Sequence, residues 1–475
     1  MRNLSMLTDL YEFSMANGFQ RNLPHTRGIF DIFYRDVPDH GSFVIAAGLA
    51  QVVQVLRDFH FDAADVAYLR SLNLYDDAFL TMLADFQLDC TISAVPEGLP
   101  VFPREPLVTI EGPLAQAQLL ETVLLNILNH QSLIATKARR ITFAAQGRPI
   151  MEFGARRAQG PDSALYGTRA AVIGGAVSTS NVLAAQQFGI PAAGTMAHSW
   201  IEAFPSELAA FQAWAQQYPD NSALLVDTYD VLRSGVPNAI TVFKALKAAG
   251  HQPVGIRIDS GDIAYLSKQA RKQLDAAGLP EVKITASNAL DETVIPALLA
   301  EGAPLDNFGI GEKMITSASA PVLSGVYKLA ATRTNGQLKP KIKVSASVEK
   351  TTLPGIKQIY RLYRPGTHEA FADVMALADE TLQTPLAVVD SNPLQTHKYL
   401  ALTAFTAVPL QQSINLAQAP LEDVFAIQKF AQTKLAELPA ETKRLVNPAS
   451  YPVYVTQQLD ALQHQLIDAF KQQVN

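Results

Sequence analysis

One cysteine, Cys90, is all the thiol the 475-residue chain has, so no disulfide can form within it, as expected of a protein in a reducing compartment. Cys90 itself is expected to act as a small buried hydrophobe. Charge is also scarce: 17% of residues are charged, against about 25% in an average globular chain. With 48% hydrophobic residues, this composition predicts large buried cores and argues against disorder. Thirty-eight basic residues against 44 acidic ones leave a net charge of −6, which supplies no global attraction to nucleic acid. No apolar run approaches the ~20 residues of a membrane span. Asp9 and Glu12 arrive too early for the apolar core of a signal peptide. A cytoplasmic protein is expected. No His/Cys spacing suggests a zinc site, so no metal-ligating set is expected from the sequence. A Gly-x-Ser-x-Gly elbow and a Walker A loop are missing, and Phe308-Gly309-Ile310-Gly311 lacks the third glycine of the dinucleotide fingerprint.

What is present has a rhythm. From about residue 148, short apolar runs end in polar or glycine-rich clusters every 25–40 residues. Pro149–Met151 leads to Glu152-Phe153-Gly154-Ala155-Arg156-Arg157, and Ile190–Ala193 to Gly194-Thr195-Met196-Ala197-His198. Leu224–Val226 leads to Asp227-Thr228-Tyr229-Asp230, and Val254–Ile258 to Asp259-Ser260-Gly261-Asp262. Val282–Ile284 leads to Thr285-Ala286-Ser287-Asn288, and Asn307-Phe308 to Gly309-Ile310-Gly311-Glu312-Lys313. Helical patterns separate them, for example Ser178–Phe188, Ala239–Ala249 and Ile263–Ala277. This alternation predicts βα units around a parallel sheet, whose chemistry collects where strands give way to loops.

Ahead of this region, Leu10–Phe19 reads as a helix and Gly28–Tyr34 as a strand, residues 90–112 as short strands broken by prolines, and residues 114–145 as one long helix. Behind it, Val326–Ala330, Lys341–Val344 and Gln358–Tyr363 read as strands, and 421–437 and 455–472 as amphipathic helices. The expected division is an N-terminal α+β domain over 1–125, an α/β barrel with the active site over 126–345, and a C-terminal segment over 346–475, strands then helices, packing back on both.

Basic residues cluster at Lys137, Arg139, Arg140, Arg148, Arg156, Arg157 and Arg169, and again at Lys328, Arg333, Lys339, Lys341, Lys343 and Lys350. Such convergence suits a phosphate-bearing substrate, while a solvated face is the competing reading. Arg257 with Asp259 and Asp262 could hold ribose hydroxyls or a magnesium–pyrophosphate group; alternatively Asp259 or Ser260 caps the following helix. Gly309 and Gly311 could let backbone N–H groups approach a phosphate. His198 follows a strand end, although a lone histidine is more often structural.

Together these segments resemble the nicotinate phosphoribosyltransferase family over nearly the whole chain. The likeness rests on Leu7–Met15, Glu152–Asp162, Gly194–Trp200, Arg257–Asp262 and Gly325–Leu329, in that order. The resemblance implies an irregular α/β barrel of the type II phosphoribosyltransferase kind, flanked by a domain drawn from the N-terminal and part of the C-terminal segments. It implies a homodimer with shared active sites. The implied reaction joins nicotinate to phosphoribosyl pyrophosphate, giving nicotinate mononucleotide and pyrophosphate, in a ligase-type coupling to ATP hydrolysis that needs Mg2+. Transfer to nicotinamide or quinolinate, or a non-catalytic ligand-binding relative, are the alternatives.

By the same resemblance, Phe153 stacks on the pyridine ring and Tyr11 of a second subunit covers its other face. Thr195 and Arg257 contact the nicotinate carboxylate or its surroundings. Arg156, Asp259, Ser287, Gly309, Gly311 and Thr316 serve the phosphoribosyl pyrophosphate, and His198 is the histidine that ATP phosphorylates. Two departures stand out. Glu312-Lys313 replaces a Thr-Arg pair found in many relatives, so Glu312 is unfavourable beside a phosphate unless Lys313 or a metal offsets it. Gly174–Ser180 carries no carboxylate where the related nicotinamide enzyme has an aspartate, which favours an acid as substrate.

Overall fold

A computed structural model describes residues 3–345, 350–392, 394–395, 397–417 and 423–474. The chain divides into two compact units: Met1–Leu133 with Val322–Glu422 and Lys429–Asn475, and Ile134–Pro321 with Asp423–Gln428.

In the first unit, strand Thr26–Tyr34 sits inside a six-stranded sheet, antiparallel to Gly325–Thr334 on one side and to Val108–Pro113 on the other. Its residues are buried almost without interruption, as for a strand covered on both faces. A second six-stranded sheet runs in the order Leu400–Leu402, Leu386–Asp390, Val453–Thr456, Ala370–Leu377, Lys357–Tyr363, Thr406–Pro409. Leu362, Val374, Leu386 and Val388 form its apolar core. Beside it lies a fully buried ion pair. Arg361 Nε and Nη2 donate to the two carboxylate oxygens of Asp373 at 2.9 and 2.7 Å, and Nη2 also reaches the Pro100 carbonyl at 2.8 Å. The stacked rings of Phe102 and Tyr451, 4.0 Å apart, lie 5.6 and 6.0 Å from the guanidinium.

The second unit is the predicted α/β region. Its strands are β1 (Ile150–Glu152), β2 (Ser178–Thr179), β3 (Ala223–Leu225), β4 (Gly255–Ile258), β5 (Lys283–Ser287) and β6 (Asn307–Ile310). They form one parallel sheet in the order β2-β1-β6-β5-β4-β3, with helices such as Pro161–Gly174, Val236–Ala248 and Ile263–Ala276 between them. This is the expected α/β class in half-barrel form, with β2 and β3 as edges. Register puts Arg257 beside Thr285, and Ser287 beside Gly309, so the loops after β1, β4, β5 and β6 emerge along one edge.

Several expectations shift. Ile190–Ala193 does not join the sheet as a regular strand; it makes one bridge, Thr179 with Ala192, and Pro191 has no N–H to extend it. Ser178-Thr179, expected to open a helix, is instead β2. The helix starts at Val182, capped by the Asn181 side chain. The long 114–145 helix is two, Leu114–Gln118 and Glu121–Ala144. Lys341–Val344 follows Pro340 as irregular chain rather than a strand. Helices Val424–Ala436 and Gln457–Val474 appear near the predicted positions. Cys90 is half-buried, and burial pushes its thiol up to about 12.

Candidate active site

Glu152 ends β1 and is completely buried. Its carboxylate accepts bonds from the Gly154 N–H, from Thr168 Oγ1 at 2.9 Å and from Thr179 Oγ1 at 2.6 Å. Burial raises its pKa, and these three donors oppose the rise. Loop, helix and β2 are thereby tied to one carboxylate, which fixes the backbone at Phe153. The Phe153 ring lies against β6, where Gly309 leaves room: a Cβ there would stand 2.7 Å from two ring atoms. The glycine at 309 is thus required by the aromatic side chain that follows the neighbouring strand β1.

Arg257 reaches over this ring, its guanidinium 5.7 Å from the centroid. Nη1 donates to Thr195 Oγ1 at 3.0 Å, Nε to Ser287 Oγ at 2.7 Å and Nη2 to Asp259 Oδ1 at 2.7 Å. Ser287 also donates to Asp259 Oδ1. The pair stays partly open, with side-chain exposures of 16% for Arg257 and 27% for Asp259. Of the five guanidinium N–H groups, two remain uncommitted among the described residues.

Asp227, in the loop after β3, completes the acidic side. Its Oδ2 accepts from the Asp259 N–H at 3.0 Å and from Ser260 Oγ at 2.6 Å. Its Oδ1 is buried without a hydrogen-bond partner among the described residues. Helix capping, the competing role for Asp259 and Ser260, falls to Asp262, whose side chain accepts from Tyr265 N–H. Asp259 is therefore available to the Arg257 set.

His198 opens helix His198–Glu202, with Nδ1 3.0 Å from Thr228 Oγ1. Arg156 is exposed in the single turn Ala155–Arg157. Arg157 pairs with Glu312 at 3.8 Å, so an arginine across the loops offsets the carboxylate. Thr316 Oγ1 donates to the Glu312 carbonyl at 2.7 Å. Tyr11, on helix Leu10–Asn22 of the first unit, is 45% exposed, and burial of its hydroxyl together with Glu121 raises its pKa.

The other basic residues divide. Lys137 and Arg140 both contact the buried Glu292, at 2.7 and 3.0 Å, and Arg148 donates to the Leu305 carbonyl. Arg139 lies over Phe143 and the buried Arg169 over Phe188. These are structural partnerships. In the second cluster, Lys339, Lys341, Lys343 and Lys350 are exposed and Arg333 pairs with Glu111 at 2.9 Å. Sequence reasoning gave no role to Asp227, Thr228 or Glu152, although each lies in a strand-end cluster that it picked out.

A parallel half-barrel with an arginine, two aspartates and an aromatic ring at its strand ends defines a type II phosphoribosyltransferase-like fold. Residues 6–129 match the nicotinate phosphoribosyltransferase (NAPRTase) N-terminal domain, 149–376 the nicotinate phosphoribosyltransferase (NAPRTase) family and 356–463 the nicotinate phosphoribosyltransferase C-terminal domain. The chain is 40% identical over 457 residues to the nicotinate phosphoribosyltransferase of Bacillus subtilis, covering 95% of this chain and 92% of that one. It is 45% identical over 362 residues to one from Mycobacterium tuberculosis, covering 76% of each. The crystal structure of human nicotinic acid phosphoribosyltransferase matches with a TM-score of 0.85 at 33% identity, over 97% of this chain and 99% of that one. The chain belongs to the nicotinate phosphoribosyltransferase family.

Proposed function

We propose that the protein joins nicotinate to phosphoribosyl pyrophosphate, forming nicotinate mononucleotide and pyrophosphate, with ATP hydrolysis coupled through His198. The observation that carries this reading is the pairing of Phe153 with Arg257. An aromatic face beside a guanidinium with two spare N–H groups suits a flat ring bearing a carboxylate.

The pyridine nitrogen is already a nucleophile, so no strong general base is needed. Its lone pair forms the bond to the ribosyl anomeric carbon as the bond to pyrophosphate breaks. Positive charge develops on the sugar, so alignment and electrostatics carry the rate. Asp259 and Asp227 face that charge, and Arg156 with Arg157 the phosphates. Asp227 and Asp259 offer carboxylate oxygens, one of them unpartnered, and so fit Mg2+ as well as ribose hydroxyls. Mg2+ would neutralise the leaving pyrophosphate. With Nδ1 held at Thr228, Nε2 of His198 is the nitrogen left to take the γ-phosphoryl group of ATP, releasing ADP. Hydrolysis of that N–P bond later frees phosphate and removes ~1.5–2 negative charges from beside the site.

We further propose a homodimer in which Tyr11 of a second subunit covers the substrate ring, working in the reducing cytoplasm. Among the described residues, no helix is long and apolar enough to cross a membrane. The test is product formation from nicotinate, phosphoribosyl pyrophosphate and Mg2+, with and without ATP, on wild type and His198→Ala. Wild type should make the mononucleotide faster with ATP, and the variant should lose that stimulation. A wild type inert with nicotinate sinks the activity, and a variant that keeps its ATP response sinks the role of His198.

A further inference from the structure

In the first unit, strand Val453–Thr456 runs directly into helix Gln457–Val474. Asp460 and His464 stand one turn apart on that helix and so share a face. His397, from the segment before strand Leu400–Leu402, meets them. Its Nε2 lies 3.1 Å from each carboxylate oxygen of Asp460. Nδ1 of His464 lies 3.4 Å from Asp460 Oδ1 and 3.0 Å from the Asp460 carbonyl. The two imidazole rings are 5.1 Å apart at 70°. One donor atom from each residue lies within 4.8 Å of the other two. Tyr399 donates its hydroxyl to Asp460 Oδ2 and orients the carboxylate from outside.

Two features separate this cluster from a surface ion pair. Asp460 is only 4% exposed, while the side chains of His397 and His464 are 51% and 53% exposed. A buried carboxylate thus points outward at two accessible imidazoles. The spacing also fits coordination: donor atoms of a tetrahedral zinc, each about 2.0–2.1 Å from the ion, lie about 3.3 Å from one another. The two imidazole–carboxylate separations, 3.1 and 3.4 Å, bracket that value, and all three donor atoms lie within 4.8 Å of one another. The three residues border a cavity of 260 Å3 that Ser391, Asn392 and Gln395 also line, which leaves a fourth position for water.

We propose that His397, Asp460 and His464 form a binding site for a divalent transition-metal ion, with zinc the best match to two imidazoles and a carboxylate. None of the three belongs to the Arg257 set, and the transfer reaction does not use them. The ion would clamp the segment carrying His397 to the C-terminal helix.

The test uses the full-length, tag-free protein, treated with a chelator and kept in excess Mg2+ so that hard-cation sites are filled. ZnCl2 is titrated by calorimetry and CoCl2 by its visible absorption. Wild type should bind one ion per chain, show the intense bands of low-coordinate cobalt, and gain Tm with zinc. His397→Gln and His464→Ala should each weaken binding at least about tenfold and lose the zinc-dependent gain in Tm. Both side chains are half exposed, so the metal-free Tm of each variant should match wild type. An absence of saturable zinc binding to wild type overturns the proposal. So does binding that both variants retain unchanged.

Discussion

Two arginine–aspartate pairs in this protein have almost the same N–O distance and opposite meanings. Arg361–Asp373 closes at 2.7 Å with both side chains wholly buried, its guanidinium beside stacked aromatic rings. Arg257–Asp259 also closes at 2.7 Å, but both partners keep some exposure and share their oxygens and nitrogens with Thr195, Ser287 and the loop held by Asp227. The first pair has no access for a ligand and joins two adjacent antiparallel strands, β-sheet neighbours by register. The second sits at the end of a parallel strand, with N–H groups left over. Neither distance nor spare hydrogen-bonding capacity tells structure from function, since the buried Nη1 of Arg361 also has no partner among the described residues; access at an open strand end does.

Substitutions can break that contrast. Arg361→Ala strands the Asp373 carboxylate in the interior and should destabilise the fold by about 3–5 kcal/mol, read as a drop in urea midpoint. A wild-type midpoint would show that the pair does not hold this unit. Arg257→Lys keeps the charge but removes the planar fork, and kcat/KM for nicotinate should fall about 100- to 1000-fold. Its Tm should barely move; an equal loss of stability would place Arg257 with Arg361. Gly309→Ala pushes a methyl group into the Phe153 ring, and KM for nicotinate should rise about tenfold or more from a displaced stacking face, with kcat less affected.

The smallest effect concerns pH. Burial, and then the Asp373 charge, raises the pKa of Glu105 well above its ordinary value. The folded state therefore holds a proton that the unfolded chain has released, and Glu105 contributes stability below the ordinary carboxylate range that is lost as pH rises toward the folded value. Glu105→Gln should flatten that decline in a series of urea midpoints. An unchanged slope would mean that Glu105 is already ionised in the fold.

Much of this was legible in the chain itself. The strand-to-loop rhythm placed β1, β3, β4, β5 and β6, because each apolar run is short and ends on residues that cannot stay in a core. Arg257, Asp259 and Ser287 were picked out, and they do converge. What was hidden depends on partners distant in sequence. Asp227 matters because register sets its loop beside Asp259, 32 residues later. Lys137 and Arg140 looked like phosphate ligands because Glu292, which occupies both, lies more than 150 residues away. Pro191 spoiled a strand whose apolar pattern was otherwise sound. The capping role offered to Asp259 went to Asp262, a choice of three residues that spacing could not make.

The missing side chain at Gly309 also sets a thickness. Phe153 rests against bare backbone, so its ring offers a flat face that cannot yield toward β6. A planar ring can lie on such a face whatever it carries in its own plane. A saturated ring puckered out of plane makes poorer contact with that face. On the proposed reading, flatness is then selected along with charge, and a pyridine acid should bind more tightly than its reduced piperidine counterpart.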